Sequence, residues 1–172
     1  MDDYEKALAL WQHKHVTTDA ELDEALSSYR ISFAYHSGNL ENDRITYDDT
    51  REIFEHDRVI SYTGVLRTLL EIRNAKDAYE LFLQSFHDRR SLDEDLVKEF
   101  QKCLTLNTYD ARRHLLGERP GEYKRHDYVT GKHEIGAAPK DVSDEMRKLL
   151  DELHGIPTGG LLRAASYYPT HR

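Results

Sequence analysis

The sequence predicts an all-α protein, on three observations. Apolar residues recur at three- and four-residue spacing over most of the chain, the spacing that lines up one side of a helix. Several breaks between those stretches carry a hydroxyl residue followed three positions later by an acid, the reciprocal cap of a helix start. The segment 117–139 departs from this pattern, with Gly117, Pro120, Gly121, Gly131, Gly136 and Pro139 interrupting it.

The elements follow in order. A short first helix covers Tyr4–His13, with Trp11, beside Leu8 and Leu10, as its anchor. Thr18-Asp19-Ala20-Glu21 opens a second, whose Leu22, Leu26, Tyr29, Phe33 and Leu40 fall on one stripe. Thr46-Tyr47-Asp48-Asp49 opens a third, and Ser91-Leu92-Asp93-Glu94 a later one, with Asp93, Glu94 and Asp95 complementing the positive end of that helix. Between them lies a long periodic stretch from Gly64 to Phe86, with Leu66, Leu69, Leu70, Ala78, Phe82 and Phe86 as its core residues. Within the interrupted segment, Tyr123–Val129 and Lys132–Ile135 are short enough to pair as a β-hairpin about Thr130-Gly131, although both are poor in β-branched residues. Helix resumes near Asp141 with Val142, Met146, Leu149, Leu150 and Leu153 on one face and Gly155 as its stop. A last helix starts near Thr158 and ends at Pro169 after Leu161, Leu162, Ala165 and Tyr168.

Length and charge narrow the functional classes. A chain of 172 residues suits a single domain with its own core. Its net charge of -8, without a basic run of five or more residues, repels a phosphate backbone, so nucleic acid is not an expected partner. One cysteine, Cys103, allows no internal disulfide. The opening Met1–Lys6 is acidic where a secretory signal is basic, and no apolar run approaches 18 residues; a cytoplasmic protein with no membrane span is expected. The ten histidines do not suggest a metal site. His13 and His15 would point about 200° apart on a helix, and the others are scattered singly.

The feature that bears on chemistry lies at the end of the second helix. Ser37 and Glu41, four residues apart, stack along the edge of its apolar stripe. A glutamate there must reach water or meet a cation, because burying an unpaired carboxylate is too costly. By itself this also reads as a helix ending at Gly38-Asn39 with an exposed Glu41.

Ser37-Gly38-Asn39-Leu40-Glu41-Asn42 has the form [S/T]-x-x-x-E-[G/N], and further segments follow it in a set order. They are Ile72-Arg73-Asn74-Ala75, Glu99–Leu104 with Gln101 where a histidine is usual, Gly117–Lys124, Asp127–Gly131, and Gly136-Ala137-Ala138-Pro139. Over roughly residues 20–168 this series resembles the Fic (Fido) family. The resemblance implies a Fic-type helical bundle with an inhibitory helix at about 19–42 and a small hairpin flap at about 121–139. It also implies transfer of AMP from ATP, with Mg²⁺, to a Ser, Thr or Tyr hydroxyl of a target protein. In the family, a motif H-P-F-x-[DE]-G-N-G-R-x-x-R supplies the general base, the metal-binding acid and the phosphate cradle. Ser37, Glu41 and Asn42 match the inhibitory motif, whose glutamate pairs with the second arginine of the catalytic motif. Tyr128, Val129, Thr130 and Gly131 match the flap that holds the target as an added strand.

The catalytic motif does not occur in the 172 residues. Tyr168 is followed by Pro169-Thr170-His171-Arg172, and His171 is preceded by Thr and followed by neither Pro-Phe nor a Gly-Asn-Gly-Arg turn. For this family the sequence therefore reads as C-terminally incomplete, with no catalytic residue, inactive alone, and doubtful in its binding of ATP and Mg²⁺. Apolar surface left uncovered makes self-association an expected behaviour. An antitoxin-like module that docks its inhibitory helix on another Fic chain is the alternative function, and a helical scaffold with accidental matches the plain one.

Overall fold

The computed structural model describes residues 3–41, 44–59, 62, 64–127, 136–157 and 160, the side chains of Leu40 and Glu41 excepted. Seven helices form among them: α1 (Asp3–Lys14), α2 (Asp19–Glu41), α3 (Tyr47–His56), α4 (Leu66–His87), α5 (Glu94–Thr105), α6 (Ala111–Leu115) and α7 (Val142–Gly155). The all-α expectation is met, and no strand occurs among the described residues. Contacts divide the chain into two units. One is Thr18–Arg125, containing α2 to α6; the other joins Met1–Thr17 and His126–Arg172 and contains α1 and α7.

The start signals act as local chemistry dictates. At α2 the Glu21 amide donates to Thr18 Oγ1 (3.3 Å) and the Thr18 amide donates to Glu21 Oε2 (3.0 Å), a full capping box. At α3 the Asp49 amide donates to Thr46 Oγ1 (3.1 Å), but the Asp49 carboxylate accepts from the Thr46 hydroxyl (2.6 Å) rather than from its amide. The start of α5 differs from expectation. Asp93, not Ser91, is the N-cap, and its carboxylate accepts from the Leu96 amide at 2.8 Å. A charged oxygen one position before the helix is the stronger acceptor for an orphan amide.

The stripe expected on α2 is only partly the buried one. Leu22 is buried and Leu26 half-buried, but Tyr29 and Phe33 are each 59% exposed. Ile31, Ala34, Tyr35 and Gly38 turn inward instead, because α2 packs against both α3 and α4 and that line faces them. Gly38 belongs to this contact: a Cβ there would stand 2.9 Å from Ile45 Cδ1. Its missing side chain lets the chain after α2 fold back, so that Ile45 joins Ile53 and Ile72 in the core, with Tyr35, Phe54 and Leu69 packed around them. In α4, Leu66 and Phe82 are exposed rather than core, and the buried line runs Thr68, Ile72, Asn74, Ala78 and Ser85. Apolarity alone misplaced that face, since Thr68, Asn74 and Ser85 make most of the buried line polar.

Two polar clamps hold the helices in register. Tyr79 Oη on α4 donates to Asp23 Oδ1 on α2 (2.8 Å), and Arg30 Nη1 donates to the same oxygen (2.8 Å). Burial, then the Asp23 hydrogen bond, pushes the Tyr79 phenol up to about 12. At the end of α3, Asp57 takes the left-handed conformation (φ 52°), and its carboxylate accepts from Lys76 Nζ (2.7 Å) and Arg73 Nη1 (2.9 Å) of α4. The Lys76 hydrogen bond, followed by the charges of Lys76 and Arg73, holds the Asp57 carboxyl below its usual range.

That depression has a measurable consequence. The contribution of Asp57 to stability is complete above its unfolded value of about 3.9 and is lost as pH falls through the lower folded value. Asp57→Asn is therefore expected to lower the melting temperature at pH 7, with the gap from wild type closing as both are melted at progressively lower pH below about 4. A gap that stays constant with pH would show that the carboxylate is not coupled to folding.

In the second unit, α7 follows expectation: Leu150 is buried, Val142, Met146, Leu149 and Leu153 are half-buried, and the helix ends at Gly155. Trp11, the expected anchor of α1, remains 40% exposed, and no residue of α1 is buried. The last expected helix, from Thr158 to Tyr168, falls almost wholly outside the described residues.

Candidate functional site

A cleft of about 450 Å³ opens in the Thr18–Arg125 unit. It has three walls. Ala34, Ser37 and Gly38 come from α2, and Arg67, Glu71, Ile72 and Ala75 from α4. The end of α5, the turn after it and α6 contribute Leu104, Thr105, Thr108, Tyr109 and Arg113. Its size falls in the range of sites that take small ligands or the side chains of a partner.

The third wall is placed by a buried asparagine. Asn74, 4% exposed on α4, donates through Nδ2 to the carbonyls of Leu104 (3.1 Å) and Leu106 (2.8 Å). The last carbonyls of a helix have no partner within it, so Asn74 serves as their cap from a neighbouring helix. The Cys103 thiol lies against the Asn74 carbonyl at 3.9 Å. Burial, then the charges of Asp77, Glu99 and Glu80, push that thiol up, away from the reactive thiolate form.

Gln101, in the place where the resemblance leads one to expect histidine, has a positioning role. Its Nε2 donates to Tyr109 Oη (3.1 Å), and its Oε1 accepts the Gly121 amide. Gly121 needs to be glycine twice over: its φ is +83°, and a Cβ would sit 3.0 Å from Lys102 Cβ and 3.3 Å from the Lys98 carbonyl. A single amide side chain thus ties α5 to Tyr109 and to the loop beyond α6. Because Tyr109 Oη accepts from Gln101, its own proton remains to be donated.

One ion pair lies within the lining of the cleft. Arg67 Nε contacts Glu71 Oε1 at 2.7 Å along α4. The Arg113 guanidinium lies over the Tyr109 ring, 4.8 Å from its centroid. Thr105 and Thr108 use their hydroxyl protons on the carbonyls of Gln101 (2.7 Å) and Thr105 (2.8 Å), so they face a ligand as acceptors.

Among the residues singled out from sequence, Ser37 stands in the cleft wall with its side chain exposed. Glu41 is the last residue of α2, one turn further on; its side chain, and Asn42 altogether, lie outside the described residues. The flap residues Tyr128, Val129, Thr130 and Gly131 also lie outside them. The approach to the flap, Tyr123–Asp127, is described and forms no strand, which corrects the expected hairpin over that part. The Arg125 amide, which a hairpin would direct to a facing strand, donates to the buried Glu118 carboxylate (2.9 Å), and Lys98 Nζ lies 4.4 Å over the Tyr123 ring. Arg67, Glu71, Tyr109 and Arg113 carried no assignment in the sequence. Arg67/Glu71 is an i, i+4 pair within α4, a spacing readable from the sequence, whereas Tyr109 precedes α6, and nothing local says that the two pairs face one cleft.

No group of three or more His, Cys, Asp or Glu side chains among the described residues is arranged to hold a metal ion. Among them, too, no helix is long and apolar enough to cross a membrane. No protein-family model, curated protein or solved structure matches the chain.

Proposed function

We propose that this chain is the regulatory part of a Fic-type protein AMP transferase: a cytoplasmic helical bundle that presents an inhibitory helix and does not itself transfer AMP. The observation that carries the reading is the course of α2. It runs unbroken from Asp19 to Glu41, closely the span expected for an inhibitory helix, and sets Ser37 and Gly38 into the wall of the cleft. The Ser-x-x-x-Glu turn therefore stands at one end of that cleft. In this reading Glu41 engages an arginine of the catalytic motif and so excludes a productive γ-phosphate, and residues 128–131 belong to the target-binding flap.

The 172 residues hold no H-P-F-x-[DE]-G-N-G-R sequence, and so no positioned base, metal-binding acid or phosphate cradle of that type. Each of those normally lowers the barrier by several kcal/mol, on the order of 3. The purified chain, given labelled ATP, Mg²⁺ and candidate target proteins, is expected to transfer no AMP, and Glu41→Gly is expected not to release any. Calorimetry with Mg-ATP is expected to show no micromolar binding. Robust transfer by the wild-type chain would overturn the reading. So would a gene that, read beyond codon 172 in all three frames, never enters an H-P-F motif, combined with failure of the chain to alter any family transferase.

A further inference from the structure

We propose that Gln101 is a positioning residue that couples the loop 117–125 to the cleft wall, so that a change at the Tyr109 hydroxyl is felt at the Gly121 amide. The Gln101 side chain is half-buried on α5, and its two amide atoms go to different elements. Oε1 accepts the Gly121 amide from the loop, and Nε2 donates to Tyr109 Oη, 3.1 Å away, in the turn before α6. Tyr109 lines the cleft. The backbone decides which way round the amide lies. Turned over, Nε2 would meet the Gly121 N–H, donor against donor, so Oε1 keeps that side and Nε2 the other. Donation therefore runs one way, from Gly121 to Gln101 to Tyr109. Hydrogen bonds aligned head to tail polarise one another, more strongly away from water, so each link strengthens the next. Removing the Tyr109 oxygen weakens the Gly121 bond without touching it. An acceptor that takes the Tyr109 proton adds a link in the same direction and tightens that bond.

The loop is built to shift as one body on this tether. Its turns are closed from within. The Arg125 amide donates to the buried Glu118 carboxylate (2.9 Å), and Arg119 Nη1 donates to the carbonyls of Glu118 (2.7 Å) and His114 (2.9 Å). At Gly121 the loop backbone lies on α5, where a Cβ would stand 3.3 Å from the Lys98 carbonyl. A second mooring does not pass through Gln101: Lys98 Nζ lies 4.4 Å over the Tyr123 ring. Losing the Gln101 bond therefore loosens the loop at Gly121 without setting it free. On the cleft side, the Gln101 carbonyl accepts the Thr105 hydroxyl at 2.7 Å, so the same residue holds a second lining side chain. The coupling lies wholly within the Thr18–Arg125 unit and stands whether or not the chain regulates an AMP transferase.

The test follows native-state hydrogen exchange of the full chain by NMR, amide by amide. Tyr109→Phe removes one oxygen and keeps the ring. It is expected to speed exchange at Gly121 by about fivefold while leaving Arg125 and the amides of α4 unchanged. Gln101→Leu is expected to speed Gly121 at least as much. Adding Tyr109→Phe to Gln101→Leu is expected to change Gly121 no further, because the path between the two is already cut. Two residues acting separately would multiply their effects instead. Circular dichroism and the α4 amides establish that each variant is folded; should Gln101→Leu not fold, Tyr109→Phe against wild type decides alone. Unchanged Gly121 exchange in Tyr109→Phe, or multiplying effects in the double variant, would overturn the proposal. So would an equal rise at Arg125, which would mean that the loop unfolds and does not simply loosen at its tether.

Discussion

Replacing Ile72 with alanine is expected to lower the unfolding free energy by about 3 kcal/mol, within the range of roughly 2–5 seen for large aliphatic truncations in cores. Ile72 is 2% exposed and serves two places at once: it packs with Ile45 and Ile53 in the core, and it forms part of the cleft floor. Truncation leaves a void that Ile45 and Ile53 fill poorly, because branched side chains have few alternative rotamers. Since domains are stable by only about 5–15 kcal/mol, the loss is a large share of the whole. Urea denaturation followed by circular dichroism reads it as a drop in midpoint with an unchanged slope. Ile72→Val, which removes one methyl group, should cost about 1 kcal/mol. Equal, negligible effects for both would mean that α4 does not pack as described.

Asn74→Ala is expected to cost about 2–3 kcal/mol, through a different cause. The substitution removes two hydrogen bonds and leaves the Leu104 and Leu106 carbonyls without the donor that caps them. Because those carbonyls end α5, the turn carrying Thr105, Thr108 and Tyr109 should loosen, and with it one wall of the cleft. Hydrogen exchange should rise at the amides of residues 105–109 more than in α2. Asn74→Asp separates capping from packing. At pH 7 its carboxylate faces two carbonyl oxygens and should be as damaging as alanine or worse. Once acid protonates it, the new O–H can donate to one of them, so part of the stability should return as pH falls. A deficit in Asn74→Asp that does not shrink in acid would argue against the capping role.

How much of this was legible beforehand depends on the range of the interaction. The capping box at Thr18/Glu21 and the cap at Thr46 involve residues three apart, and both form. The same kind of reading put the start of α5 at Ser91, two residues early, because Asp93 competes for the same amides. Burial was legible less well. Tyr29, Phe33, Leu66 and Phe82 have the right chemistry and spacing for a core, but a helix touching two or three neighbours buries whichever face they occupy. The candidate site shows the same division. Ser37 could be singled out from a local pattern, whereas Arg113 and Gln101 acquire their roles only from elements distant in the chain.

Local sequence was enough to establish that this protein is helical, where most helices begin and end, and that a Ser-x-x-x-Glu turn closes the longest of them. Those properties follow from backbone hydrogen bonds and side chains within one or two turns of each other. Packing in three dimensions was needed to choose which faces are buried, to let Gly38 admit Ile45 to the core, and to bring Asn74 to cap a helix 30 residues away along the chain. Packing also set Arg67 and Arg113, from different helices, into one cleft. Contacts of that range depend on how whole helices meet, and no window of local sequence contains the partner that chooses the face.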